Sequence, residues 1–294
     1  MREPGIYLGL PEEEYHADPS FSASGIKNIT VSPLDYWANS HMNPDHVDKD
    51  TPAKQLGKAY HKLVLEGREA FESCYAVKPD IADYPDALDG APALKAHCKD
   101  LDLKASGTIA ELCARIREED TATELWPEIM AEFTAELEGR QVITKDAWKD
   151  LNLVDLVMRR SPSTAEAFRG GVPEVSMFWR ETDVPMKARI DYVKPFALLD
   201  LKSFANQMAD EIVSSVAKEV ARRRYYIQPV VYTRGWEAMK DMYLAHGSGI
   251  ITGEGDHSVI ETALKEDRTR FFFVFLQTGG VPNVVVREFA MMET

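Results

Sequence analysis

Cysteine is scarce: the 294 residues hold three, at positions 74, 98 and 113, with no CxxC pair. That spacing excludes a four-cysteine iron–sulfur cluster and a structural zinc site, and it fits free thiols in a reducing cytoplasm. Long apolar runs are also missing. No stretch is long enough to span a bilayer, and Met1-Arg2-Glu3-Pro4-Gly5 does not resemble a signal peptide. A cytoplasmic protein without a membrane partner is expected. Basic residues are outnumbered, 34 Lys and Arg against 48 Asp and Glu, for a net charge of −14. A uniformly acidic surface repels a polyanion, so a nucleic-acid partner requires cations gathered locally. Internal repeats and low-complexity tracts are absent. What remains, 45% hydrophobic and 28% charged residues, is the composition of a globular chain. Its length buries a full core, as one large domain or a domain with an insert.

The densest chemistry lies in Ala188-Arg189-Ile190-Asp191-Tyr192-Val193-Lys194-Pro195-Phe196-Ala197-Leu198-Leu199-Asp200-Leu201-Lys202. It reads as two short strands joined at Lys194-Pro195, the second apolar enough to be buried in a sheet. Side chains alternate along a strand, so Asp200 and Lys202 share one face and Leu201 takes the other. Asp191, on the preceding strand, can come alongside Asp200. Two carboxylates and an ammonium converging at the edge of an apolar sheet need compensation. A hard divalent cation supplies it, since Mg²⁺ is commonly held by one or two carboxylates plus a phosphate. An ordinary hairpin with a surface Asp–Lys pair accounts for the same residues. Asp200 and Lys202 are expected at a polar edge, outside the core.

Residues 1–50 read as short pieces covering the core: Ser22 or Ser24 can cap a helix over 25–29, and Ser32-Pro33 opens another. Thr51-Pro52 opens a clear helix running to 66, with Leu56, Tyr60, Leu63 and Val64 as its apolar stripe. Gly57 and His61 share a face of it, and His61 fits either a hydrogen-bonded core histidine or a metal ligand. Residues 78–92 read as a linker, 92–116 as a helical hairpin with its turn at Ser106-Gly107, and 118–140 as an acidic helical stretch. Thr144 caps a helix over 145–160, and a strand over 172–182 carries Glu174.

A long helical stretch over 210–242 carries Lys218, Arg222, Arg223 and Arg224, a local cationic cluster. Asp210, Glu211 and Glu219 could equally balance these cations as a solvated face. A kink or restart is expected at Pro229. Residues 246–256 read as a Gly-rich mobile loop, followed by a short helix over 258–266. The runs 270–277 and 284–289 read as a hairpin on the same sheet.

Several pieces now stand in one order: Leu56-Gly57-Lys58-Ala59-Tyr60-His61-Lys62-Leu63-Val64-Leu65-Glu66, Glu174-Val175-Ser176, Arg189-Ile190-Asp191, Leu199-Asp200-Leu201-Lys202-Ser203 and Gln228-x-x-x-Tyr232. Together they resemble the RecE (exonuclease VIII) branch of the RecB-like PD-(D/E)xK nucleases. Ser22-Ala23-Ser24-Gly25, Ser32-Pro33-x-x-Tyr36 and Phe272-Phe273-Val274-Phe275-Leu276 match that branch too. The likeness runs over 22–292, outside 80–140 and the Gly-rich loop. Separately, residues 92–116 resemble the SAP motif, a helix-extension-helix DNA-binding module. Leu94-Lys95, Leu103-x-x-Ser106-Gly107-Thr108, Glu111-Leu112 and Arg115-Ile116 carry that likeness. A hairpin inserted for packing is the other reading of this stretch.

The resemblance implies an α/β (α+β) restriction-endonuclease-like core, a central mixed sheet flanked by helices with a helical insert. The corresponding bounds are 1–80 for the N-terminal part of the nuclease domain, 81–140 for the insert (SAP-like at 91–117) and 141–294 for the core. It implies His61, Asp191, Asp200 and the Leu201 carbonyl as ligands of Mg²⁺, with Mn²⁺ as a substitute. Lys202 would orient the attacking water or stabilise developing charge, and Glu174 would sit beside the metal. Gln228 and Tyr232 would shape the site and contact the DNA strand. Lys218, Arg222, Arg223, Arg224, Lys95, Lys99, Lys104 and Arg115 are the candidate DNA contacts. The activity implied is a DNA exonuclease of the phage recombination type, degrading one strand of a duplex from its end, 5′ to 3′. A single-strand or flap nuclease and a non-catalytic recombination accessory protein are the alternatives. A single-strand annealing protein and a second copy of the chain are candidate partners beside duplex ends. Chains of the branch usually continue into a C-terminal helical region. This sequence stops at Met292-Glu293-Thr294, a departure from the branch that leaves ring assembly and processivity open.

Overall fold

The computed structural model describes residues 1–47, 51–206 and 210–289. The expected end of the likeness, at Met292, lies outside them. In chain order, β1 (Gly5–Leu8) precedes α1 (Glu12–Ala17), α2 (Ala23–Ile29), α3 (Pro33–Ala38) and α4 (Pro52–His61), which runs into a π-helical turn, Lys62–Glu66. Next come α5 (Arg68–Cys74), β2 (Tyr75–Val77), α6 (Gly90–Asp100), α7 (Ile109–Glu119), α8 (Trp126–Ala135), β3 (Gln141–Ile143) and α9 (Lys145–Arg160). Then follow β4 (Val172–Glu181), β5 (Val184–Lys194), β6 (Ala197–Phe204), α10 (Ile212–Arg223) and α11 (Ile227–His246). The last elements are β7 (Ile251–Gly253), α12 (His257–Lys265), β8 (Phe271–Gln277) and β9 (Val284–Phe289).

The chain divides into two compact units, Met1–Gly67 with Asn152–Thr294, and Arg68–Leu151. The first holds a seven-stranded mixed sheet in the order β7-β1-β4-β5-β6-β8-β9. β6 and β8 pair in parallel, whereas β4–β5, β5–β6 and β8–β9 are antiparallel. β6 is therefore an inner strand, which explains its nearly unbroken apolar run. Helices flank the sheet: α11 packs on β4 and β5, α12 on β5, and α4 on β6. The main core gathers Ile6, Val175, Ile190, Trp236, Met239 and Phe275, all nearly or fully buried. Each such side chain contributes roughly 1.5–3 kcal/mol of burial. Lys187 on β5 holds the N-terminal segment, its ammonium donating to the carbonyls of Tyr15 (2.8 Å) and Asp18 (2.6 Å).

The second unit holds the parallel pair β2–β3 and the α6–α7 hairpin. The hairpin has its own core of Leu94, Cys98, Leu112, Cys113 and Ile116, closed by Leu125. Thr108 and Glu111 form a capping box at the start of α7, satisfying orphan N–H groups at both ends of the box. Phe71 stacks between Tyr75 and Trp148, at 4.7 Å and 5.2 Å.

The caps read from sequence are present: Ser22, Ser32, Thr51 and Thr144 each accept a backbone N–H of the following turn. Four readings change. The N-terminus does more than cover the core, because β1 lies inside the sheet between β7 and β4. The Gly-rich segment contains β7, paired with β1. Each strand is too short for its alternation to stand out. The helix from Pro52 ends in the π-helical turn just after His61, an uncommon form that is frequent at functional sites. The long helical stretch breaks at Arg224, whose φ of 52° is left-handed, and not at Pro229. Pro229 falls in the first turn of α11, where its missing N–H would have had no helical partner.

Gly235, midway along α11, allows that helix to approach β4. A Cβ there would lie 2.7 Å from the Trp179 ring and 2.9 Å from Met177 Cε. Gly235→Ala gains about 1 kcal/mol in helix propensity, but overpacking a core costs about 1–3 kcal/mol. Because a buried indole cannot step aside, the substitution is expected to lower the melting temperature. An unchanged or higher melting temperature would show that the approach is looser than described.

Candidate active site

The β5–β6 ladder ends at Tyr192–Leu199, and one residue beyond it Asp191 and Asp200 stand side by side. Leu201 N–H, left without a strand partner, donates to Asp191 Oδ2 at 2.7 Å. A carboxylate thus replaces the ladder bond that a buried N–H requires. Asp200 has no exposed surface and Asp191 is 9% exposed. Asp200 Oδ1 pairs with the Lys202 ammonium, and its Oδ2 accepts from the Gln228 amide. This corrects the expected polar edge: the pair sits on an inner strand, under α11.

α4 brings His61 Nδ1 to 3.6 Å from Asp191 Oδ2, and the ring also hydrogen-bonds the Leu201 backbone. From β4, Glu174 accepts from Arg189 Nε at 2.5 Å, and Arg189 Nη1 donates to the Leu10 carbonyl at 3.0 Å. Glu174 has a φ of 52°, a left-handed conformation costly for a side chain with a Cβ. One ligand atom each from His61, Glu174 and Asp191 fits within 4.8 Å, the single such group among the described residues.

The charges are strongly perturbed. Burial, then the Asp200 carboxylate, pushes Asp191 up to about 8. Burial, then Asp191, raises Glu174 as well, against the pull of Arg189. Burial and the Lys202 charge lower His61, which favours the neutral ring that binds metals. For Lys202, burial favours loss of the proton, but Asp200 and Asp191 outweigh it and the net shift is upward. Burial and a neighbouring like charge disfavour both ionised carboxylates, a cost that a bound cation would offset.

Residues 22–247 match the family described as PDDEXK-like domain of unknown function (DUF3799). The chain belongs to this family. It thereby falls in the PD-(D/E)xK nuclease superfamily, and its mixed sheet flanked by helices is that fold. No curated protein matches the chain. Among solved structures it is similar to one described as "Putative exonuclease" from Eubacterium rectale. That likeness has a TM-score of 0.49 and 13% identity, and it covers 96% of this chain and 79% of the other. At that score and identity the likeness decides neither fold nor activity.

The residues of this PDDEXK-like domain fit a divalent ion: the His61 imidazole and the Glu174 and Asp191 carboxylates offer ligand atoms within 4.8 Å of one another, and both carboxyls are held above their ordinary range. The ligand set differs from the expected one in emphasis. Glu174 groups with His61 and Asp191, and Asp200 stands beside them facing Lys202 and Gln228. Gln228 and Tyr232 are 6% and 9% exposed, so they brace Asp200 from within and do not present a surface to a strand.

Five of the expected cations are engaged with the protein. Arg222 and Arg223 pair with Glu219, and Lys218 with Asp210 at 2.8 Å. Arg224 donates to the Lys27 carbonyl and Thr30 Oγ1, at 3.3 Å and 3.0 Å. Arg115 closes the α6–α7 turn by donating to the Lys104 and Ser106 carbonyls. Lys95, Lys99 and Lys104 are exposed. Sequence reasoning missed Arg189 as the partner of Glu174, although its place beside Asp191 in the motif was visible. It also missed Lys27 and Tyr225, which no spacing tied to the site.

Arg189→Met strands the half-buried Glu174 carboxylate. It is expected to cost about 2–3 kcal/mol in denaturant unfolding. Glu174→Gln with Arg189→Met should lose less than the sum of the two single changes, by about 1 kcal/mol or more. Additive losses would show that the pair is not coupled.

Proposed function

We propose that this chain is a metal-dependent nuclease that hydrolyses phosphodiester bonds of DNA. The observation that carries the reading is the cluster of His61, Glu174 and Asp191 abutting the buried Asp200–Lys202 pair. His61, Glu174, Asp191, Asp200 and the Leu201 carbonyl would hold the ion, Mg²⁺ by its preference for oxygen ligands, with Mn²⁺ as a substitute. The bound ion supplies positive charge at the phosphate and lowers the pKa of a water. The chain's own residues do the rest. Asp200 fixes the Lys202 ammonium, whose raised pKa keeps it charged beside the phosphate as negative charge develops. Gln228 holds Asp200, and Tyr232 hydrogen-bonds Gln228. Water oxygen bonds to phosphorus and gives up one proton to solvent, the P–O bond to the leaving sugar oxygen breaks, and that oxygen takes up one proton from solvent, so that the proton count balances.

The motif order supports the RecE-like branch, and with it an exonuclease acting on one strand of a duplex, 5′ to 3′, in recombination. In this reading the helical insert, residues 81–140, grips duplex DNA. Support comes from a hairpin with its own small core that leaves Lys95, Lys99 and Lys104 outward. An acidic chain needs such a separate cationic grip, because surface ion pairs such as Arg222–Glu219 leave little net positive charge.

Duplex DNA labelled at either end, with and without Mg²⁺, tests the chemistry. Asp200→Ala and Lys202→Ala are each expected to lower cleavage by about 10²–10³-fold or more. Asp200→Ala should also destabilise the fold, because it leaves the Lys202 ammonium buried without its partner. Immediate release of a 5′ label together with stepwise shortening of the 3′-labelled strand supports the polarity. Full activity in chelator, or in either variant, would overturn the mechanism. A chain that binds the duplex and never cuts it would be an accessory protein instead.

The grip has its own test. Lys95→Ala/Lys99→Ala/Lys104→Ala should weaken duplex binding and flatten the slope of log affinity against log salt by about 0.9 per lost contact. Hydrolysis of a short, saturating substrate should stay unchanged, since phosphate contacts position DNA away from the chemistry. An unaltered slope would leave the hairpin as packing alone.

A further inference from the structure

The Tyr225 ring carries two ammonium groups. Lys202 Nζ lies 5.3 Å from its centroid, and Lys27 Nζ lies 5.0 Å from it. The two are not equivalent. Lys202 has Asp200 as its counter-ion. Lys27, half-buried on α2, has no carboxylate or carbonyl partner for its ammonium among the described residues. A ring face contributes about 0.5–2 kcal/mol to a cation, whereas taking an ammonium out of water costs several kcal/mol. Burial, then the charge of Lys202, draws Lys27 down to about 8; the Asp200 carboxylate pulls the other way without offsetting them, and Arg223 adds to the lowering. This flank of the site is therefore short of an anion, although the protein as a whole is strongly acidic.

The local backbone holds the arrangement in place. Arg224, in its left-handed conformation, ends α10 and turns Tyr225 toward Lys202. The Arg224 guanidinium then fastens the end of α2 through the Lys27 carbonyl and Thr30 Oγ1. Lys27 is thus fixed at its main chain while its ammonium stays over the ring. Asp200 is already committed to Lys202 and Gln228, and Glu219 to Arg222 and Arg223. Among the described residues, no carboxylate pairs with the Lys27 ammonium.

We propose that Lys27 and Tyr225 form a second phosphate subsite beside Asp200–Lys202, which takes a phosphodiester flanking the one that is cut. The inference rests on the nuclease reading for the identity of the strand, and it adds where the neighbouring phosphate lies. Lys27 is a positioning residue in it: it sets the register of the strand and leaves the chemistry to the residues around Asp191.

The test is binding of short duplexes that each carry one neutral methylphosphonate, moved stepwise from the end. Ca²⁺ replaces Mg²⁺ so that no cutting intervenes. In the unaltered protein one flanking position should weaken binding about tenfold. In Lys27→Met, which keeps the side chain's length over Tyr225, that same methylphosphonate should cost nothing further. The salt slope should flatten by about 0.7–0.9. Lys27→Arg should restore both sensitivities, and Lys27→Gln serves as the neutral variant if Lys27→Met does not fold. Additive losses at every position, or a neutral variant that binds like the parent, would overturn the subsite. Cleavage assayed on the same duplexes keeps the two readings apart. Coupling without any cutting would sink the nuclease and leave the subsite standing, whereas cutting without coupling would do the reverse.

Discussion

The constraint on which the site depends is electrostatic. Asp191 and Asp200 are placed on two inner strands, largely shut off from water, with one ammonium, Lys202, paired to Asp200. Desolvation on that scale is tolerated only if nearly every oxygen has a partner. Leu201 N–H, Gln228 and Lys202 supply partners, and Arg189 does so for Glu174. Positive charge still falls short, and the upward shifts of Asp191 and Glu174 register the deficit. A neutral imidazole at the same point makes the deficit useful, because it offers a lone pair without adding repulsion. A divalent ion meets all of these requirements at once.

The surrounding architecture follows from keeping that cluster rigid. The end of the β5–β6 ladder opens room for the two carboxylates, and α4 supplies His61 just before its regular helical bonding gives way to a π-helical turn. On the other flank, the break at Arg224 divides one long helical stretch into α10 and α11. That division allows Gln228, Tyr232 and Tyr225 all to serve the site, and it ties α2 to the same corner. Gly235 then lets α11 lie close on β4.

Charge distribution explains how a chain of net charge −14 can have polyanion chemistry. Its cations are not spread over a face. Some are neutralised by nearby carboxylates, some hold the backbone in place, and among the described residues the Lys27 ammonium has no acidic partner paired with it. Repulsion from the rest of the surface screens within about 8–10 Å at ordinary salt, so contacts at this range decide whether a strand is held.

Much of this was legible in the sequence. Alternation placed Asp200 and Lys202 on one face, capping residues marked the starts of α2, α3, α4 and α9, and the ordered motifs implied the mixed sheet and its flanking helices. These features are local, or repeat at a fixed spacing, so a linear reading detects them. Burial of the Asp200–Lys202 pair was beyond it, because an apolar strand is inner or outer according to the strands that join it from elsewhere in the chain. The same holds for β1 and β7, short runs that become strands only by pairing with each other and with β4. Lys27 and Arg189 acquired their roles in this way too: Lys27 is nearly two hundred residues from Tyr225, and only the folded chain closes that distance.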